Sequence, residues 1–252
     1  MQNFSKLSKI LIFVSIVFIC AIASYFVFIG QKKATLNSNE KNIIKKDAAE
    51  ELLDSNAEAL KKAENTNDGL VRKIDDTDHI LGDINAPVQI IIYDDFDNEF
   101  SADYYKTIKQ TIEAYGEKIV VAYRHFPMRS HANANVATQA SECAGEQGKF
   151  WEMVELLFTA RSADKLNEDT INSNVVELQL DKAKFDACLT DQKISDKIQA
   201  SLTQADNINV TGAPTTFINS VPYPGAMPFE DFTDSSGIER RGLASIIKEL
   251  IK

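Results

Sequence analysis

Hydrophobic and polar positions fall into three regimes along the chain. The first is a run from Ile10 to Ile29 without a charge, in which Ser15 and Ser24 are the only clearly polar side chains. A helix rises about 1.5 Å per residue, so a run of this length covers about 30 Å, the hydrocarbon thickness of a bilayer. The pattern predicts one transmembrane helix over 10–30, behind a short cytoplasmic tail at 1–9. A cleaved signal has a shorter apolar core, about 7–15 residues, ending at a small-x-small site. The candidate site here, Ala21-Ile22-Ala23, is followed by more apolar chain, which favours an uncleaved signal anchor. Cys20 lies inside the run, preceded by Phe18 and Ile19, and lacks the small and polar neighbours of a lipid-attachment cysteine.

The second regime, residues 31–78, is polar and rich in Lys, Asn, Asp and Glu. Asp47 with Glu50 resembles a helix-start capping box, and Ala49, Leu52, Leu53, Ala57 and Leu60 follow at helical spacing. A linker carrying one short amphipathic helix is expected. Lysines flank both ends of the anchor (Lys6 and Lys9 before it, Lys32 and Lys33 after it), so charge bias alone does not orient it.

The third regime, 79–252, alternates strand and helix patterns. Val88 to Tyr93 is a β-branched, mostly apolar run that predicts a buried parallel strand. Ser101 to Tyr115 has helical spacing through Tyr104, Tyr105, Ile108 and Ile112, and stops at Gly116. Lys118 to Tyr123 reads as a second strand, completing a βαβ unit. A helical stretch follows from about 132 to 207, with breaks expected near Ser162–Asp169 and Leu180–Asp181. Thr215 to Asn219 predicts a third strand, a hairpin partner lies around Val221-Pro222-Tyr223, and a final helix carries Leu243, Ile246, Ile247 and Leu250. The order is α/β with a helical insertion at about 128–207.

Composition then narrows the chemistry. The net charge is −10, from 27 Lys and Arg against 37 Asp and Glu. Such a surface repels phosphate backbones and argues against nucleic acid as a partner. Three cysteines and three histidines are too few for a disulfide scaffold, a Cys-rich zinc module or a His-rich metal site, and no cofactor is implied.

Three motifs carry a resemblance. Asp95-Phe96-Asp97-Asn98-Glu99-Phe100-Ser101 lies where the first strand feeds its helix. Tyr123-Arg124-His125-Phe126-Pro127-Met128 leads to Glu142-Cys143-Ala144-Gly145-Glu146-Gln147-Gly148-Lys149-Phe150-Trp151. Val210-Thr211-Gly212-Ala213-Pro214-Thr215-Thr216-Phe217-Ile218-Asn219 comes last. In this order they resemble the DsbA-like thiol-disulfide oxidoreductases of the thioredoxin superfamily, over about 78–252. The resemblance implies a thioredoxin-like fold with a helical insertion. It also implies a cis-Pro at Pro214, with Ala213 and Thr215 presenting backbone to an extended peptide.

In that family a Cys-x-x-Cys pair opens the first helix, where the macrodipole and free N–H groups favour a thiolate. This chain has Asn98 and Ser101 at the matching positions. Neither side chain forms a disulfide, so no dithiol reaction is expected there and no residue is assigned a catalytic role. Asn98 suits a helix N-cap, and Glu99 and Asp103 suit the positive end of the helix dipole. Two sharper readings have weaker support. Asp94, Asp95, Asp97 and Glu99 could gather around a hard cation, but their spacing is not that of a calcium loop. Ser101 as a hydrolase nucleophile would need His125 or His131 as a base, without a Gly-x-Ser-x-Gly elbow. His79 reads as a surface or capping residue, and Phe150, Trp151 and Phe158 as insertion core.

Cys143 and Cys188 match positions at which a branch of the family carries a structural disulfide; two buried free thiols are the alternative. A disulfide belongs to an oxidising compartment. The resulting expectation is a single-pass membrane protein whose C-terminal domain is extracytoplasmic, with extracytoplasmic polypeptides or envelope proteins as partners. It would serve as a non-catalytic peptide-binding module. The alternative is a thiol-disulfide oxidoreductase or isomerase acting in envelope protein folding through its other cysteines.

Overall fold

The computed structural model describes residues 71–252. The expected membrane segment at 10–30 and the helix at 47–61 lie outside the described residues. Among the described residues no helix is long and apolar enough to cross a membrane.

The elements run in chain order as β1 (His79–Gly82), β2 (Val88–Asp94), α1 (Glu99–Tyr115), β3 (Ile119–His125), α2 (Ala134–Gly145), α3 (Phe150–Ser162), α4 (Glu168–Glu177), α5 (Lys182–Leu189), α6 (Gln192–Asn207), β4 (Thr215–Ile218), β5 (Val221–Pro224), β6 (Phe232–Thr233), β7 (Glu239–Arg240) and α7 (Leu243–Leu250). One mixed sheet has the order β1-β3-β2-β4-β5, and β6 with β7 forms a small ribbon. β2 and β3 are parallel, with Ile91 beside Ala122, whereas β1 and β4 run antiparallel to their neighbours. The four-residue β1 is too short to show an alternation, and the sequence pattern does not predict it. His79, read as a surface or capping residue, begins this strand opposite Tyr123.

The central strands are hydrophobic on both sides because both faces are covered. Side chains alternate along a strand, so Val88, Ile90 and Ile92 of β2 face one core. Ile108 of α1 and Leu243 and Ile247 of α7 complete that core. Ile91 and Tyr93 point the other way, toward Val120, Ala122, Phe217, Val71 and Ile74. Burial of side chains of this size contributes about 1.5–3 kcal/mol each. Packing therefore begins by Val71, ahead of the boundary drawn at 78 from composition. A buried clasp reinforces this start: the Arg124 guanidinium reaches both Asp78 oxygens at 2.9 and 3.0 Å, and also donates to the Arg72 carbonyl.

Helices α2–α6 form the insertion between β3 and β4, with a third core built from Phe96, Phe150, Met153, Leu157, Phe158 and Phe185. Besides the two expected breaks, the helical stretch is interrupted at Glu146–Lys149 and Thr190–Asp191. At the first, Gly148 takes a positive φ of 74° that stops α2 before α3 starts. Cys143 of α2 and Cys188 of α5 are joined by a disulfide across a Cα–Cα distance of 5.7 Å.

Candidate functional site

The candidate site lies where β2 feeds α1, facing the loop before β4. Asn98 has extended backbone, and its Oδ1 accepts from the N–H groups of Phe100 at 2.8 Å and Ser101 at 3.3 Å. That is an N-cap, and it satisfies two donors that the helix itself cannot. The other half of the amide crosses to the facing loop: Asn98 Nδ2 donates to the Ala213 carbonyl at 2.9 Å. The Ala213–Pro214 bond is cis. Asn98 therefore ties together the two segments that the resemblance assigns to a reactive thiol and a peptide-docking backbone. It is 8% exposed, and Ser101 is fully buried. Beside them Phe100 is 62% exposed. Among the described residues the N–H groups of Gly212 and Ala213 have no partner within the chain.

The four acidic residues of this loop do not converge. Asp94 is buried, and its Oδ1 accepts from the Asp95 N–H at 2.9 Å. Burial pushes its carboxyl up to about 7, and the Asp95 N–H offsets part of that rise. The Ser101 Oγ does not reach hydrogen-bonding geometry with any partner. Asp95 turns to the β3–α2 loop, accepting from the Met128 N–H at 2.9 Å and bonding His131 Nδ1 at 2.7 Å. Burial raises its pKa as well, against those hydrogen bonds. Asp97 accepts from the Asn133 N–H at 2.8 Å, and Arg161 of α3 donates to the Asp97 carbonyl at 2.9 Å. Glu99 is exposed. Each inward-facing carboxylate serves a separate structural bond, and among the described residues no His, Cys, Asp and Glu cluster could hold a metal ion.

The arrangement holds no dithiol and therefore cannot exchange disulfides at the start of α1. Asn98 has no ionisable proton. Neither histidine serves Ser101 as a base, because His125 and His131 are turned to carboxylates elsewhere. Asp94 can take up or release a proton near neutrality, but the Ser101 hydroxyl beside it is fully buried and makes no hydrogen bond to it.

A second polar centre escaped the sequence reading. Glu142 of α2 is 2% exposed and receives His125 Nε2 at 2.6 Å, His79 Nε2 at 3.0 Å and Lys197 Nζ at 2.7 Å. Burial opposes its charge, but the hydrogen bonds from His125 and His79 hold it well below the usual carboxylate range. Burial lowers the His125 pKa, against the pull of Glu142. His79 stacks on Phe150 at 3.5 Å, in room left by Gly145, where a Cβ would lie 3.1 Å from the imidazole. One signal was available in the sequence: Glu142 is the only charged residue of α2. The network joins β1, β3, α2 and α6 and is structural. Cys143, buried, and Cys188, half-buried, lie in the insertion and are bonded to each other, packed in the same core as Phe96 and Ala102.

Comparison with known proteins agrees with this architecture. A family model described as thioredoxin matches residues 74–235. The Na(+)/H(+) antiporter NhaA 3 of Salinispora tropica is 31% identical over 156 residues, covering 62% of this chain and 24% of that protein. The Na(+)/H(+) antiporter NhaA 1 of Mycolicibacterium gilvum is 31% identical over 160 residues, covering 62% and 26%. The chain spans about a quarter of the length of these curated relatives. Among solved structures, a thioredoxin-like oxidoreductase from Silicibacter pomeroyi superposes with a TM-score of 0.58 at 17% identity, over 70% of this chain and 91% of that one. The thiol-disulfide exchange protein alpha-DsbA2 from Wolbachia pipientis gives 0.57 at 20% identity, over 70% and 88%. The chain belongs to the thioredoxin family, with a DsbA-like fold, and is a member that lacks the Cys-x-x-Cys pair.

Proposed function

We propose that this domain is a non-catalytic peptide- or protein-binding module, anchored in the cell membrane by residues 10–30 and placed outside the cytoplasm. The observation that carries the reading is the Asn98 amide, which caps α1 and bonds the Ala213 carbonyl where the family pattern has its attacking cysteine. The helix start is satisfied by a group that cannot take electrons. Among the described residues the N–H groups of Gly212 and Ala213 have no partner, and an extended peptide pairs with such an edge through its backbone. Two features support an extracytoplasmic position. The Cys143–Cys188 disulfide suits an oxidising compartment, and the run at 10–29 has the length of a bilayer span. The partners are then unfolded or extended segments of extracytoplasmic polypeptides or envelope proteins.

Isothermal titration of the full chain in phosphatidylcholine vesicles against unfolded peptides from secreted proteins tests binding. Saturable heat that weakens in Phe100→Ala is expected. No heat at peptide concentrations on the order of millimolar would sink the reading. A membrane-impermeant maleimide added to intact cells, before and after an impermeant reductant, tests placement. Labelling of the half-buried Cys188 after reduction is expected, and labelling only in lysed cells would contradict it.

A further inference from the structure

Away from Asn98 and Ala213, a groove of about 570 Å³ opens between α1, α3, the end of α4 and β1. Its floor is apolar: Leu81, Ile112, Trp151, Leu156 and Leu178 line it, none of them exposed. The indole is fixed in place, because Trp151 Nε1 donates to the Ile80 carbonyl at 3.0 Å. Its rim is acidic. Glu113, Glu152, Glu155 and Glu177 line it against one cation, Lys109. Lys109 is already engaged, with its Nζ 2.7 Å from a Glu155 oxygen and 5.4 Å from the Tyr105 ring centre. Glu152 is paired with Lys149 at 2.7 Å, whereas Glu113 and Glu177 have no ion-pair partner among the described residues.

We infer that this groove is a docking site for a basic amphipathic helix of a polypeptide partner. Apolar side chains on one face of such a helix fill a groove of this kind, and flanking Lys or Arg residues meet the carboxylates left free at Glu113 and Glu177. Charge selects the occupant. An acidic helix, or a second copy of a chain carrying −10, would face carboxylates across the rim. The site is independent of the peptide edge at Ala213, so either can fail without the other.

Trp151 is the only tryptophan in the chain and it lines the groove, so its fluorescence reports occupancy directly. The full chain in phosphatidylcholine vesicles is titrated with a synthetic Leu/Lys amphipathic helix and with a Leu/Glu helix of equal length, both free of Trp. A saturable change with the basic helix alone, weakening as salt rises, is expected. Glu113→Gln with Glu177→Gln weakens it about tenfold, whereas Asp206→Asn, a neutralised charge outside the groove, does not. An equal response to the acidic helix would overturn the inference. So would unchanged affinity in the double variant, no response to either helix, or a Trp151 signal that follows protein concentration without peptide.

Discussion

Asp94 is a carboxyl group kept in the interior beneath Asn98 and Ser101, and its titration sets a stability change that can be worked through. Its pKa is raised from 3.8 to about 7 by burial. Between those values the folded chain holds a proton on Asp94 that the unfolded chain has released. The folded state then binds more protons, so stability falls as pH rises through that window. A shift of about 3 units at about 1.4 kcal/mol per unit amounts to about 4 kcal/mol, fully felt above about pH 7. Asp94→Asn keeps the shape and removes the ionisation. Urea denaturation of wild type and variant across pH 4–9 gives the difference directly, and titrations of other groups cancel in it. The variant should match wild type near pH 4, gain stability steadily toward pH 7, and level off about 4 kcal/mol above it. A difference that is flat with pH, or that grows toward acid, would show that Asp94 is ionised in the fold and that its environment has been misread.

Three other variants probe the frame of the site. Removing the disulfide with Cys143→Ala and Cys188→Ala opens a loop closed over 45 positions, which corresponds to about 4 kcal/mol of chain entropy. Thermal unfolding should show this loss, and wild type should show it too after reduction. Glu142→Ala leaves His125 and Lys197 without their shared carboxylate, and a cost of about 3–5 kcal/mol in urea denaturation is expected. Asn98→Ala removes the cap of α1 and the bond to Ala213; about 1–3 kcal/mol should be lost, with faster amide exchange at Phe100 and Ser101.

How far the chain can be read without its structure differs from element to element. β2 and α1 are legible because their signals are local: a β-branched run, then an Asn at a helix start followed by helical spacing to a Gly. The succession of strands and helices from β2 onward, with the helical insertion in its middle, follows from the same patterns. β1 is not legible, because four residues ending in Gly carry no period, and its pairing with β3 is decided by tertiary packing. The breaks at Glu146–Lys149 and Thr190–Asp191 carry short local signals, Gly148 in a polar run and Asp191 as an N-cap, which the helical spacing on either side outweighs. The destinations of Asp94, Asp95 and Asp97 also escape a sequence reading. Adjacent acidic residues look like a cluster in one dimension, whereas strand alternation and the turn send each to a different partner. Glu142 meets His79, His125 and Lys197 from positions 63, 17 and 55 residues away, and no local pattern joins them.

The loss of dithiol chemistry at the start of α1 can be measured in one assay: insulin reduction by dithiothreitol, followed by turbidity. The purified chain should leave the uncatalysed rate unchanged, while Asn98→Cys with Ser101→Cys should accelerate it. Acceleration by the wild-type chain that disappears with Cys143→Ala would contradict the reading of this protein as a binding module.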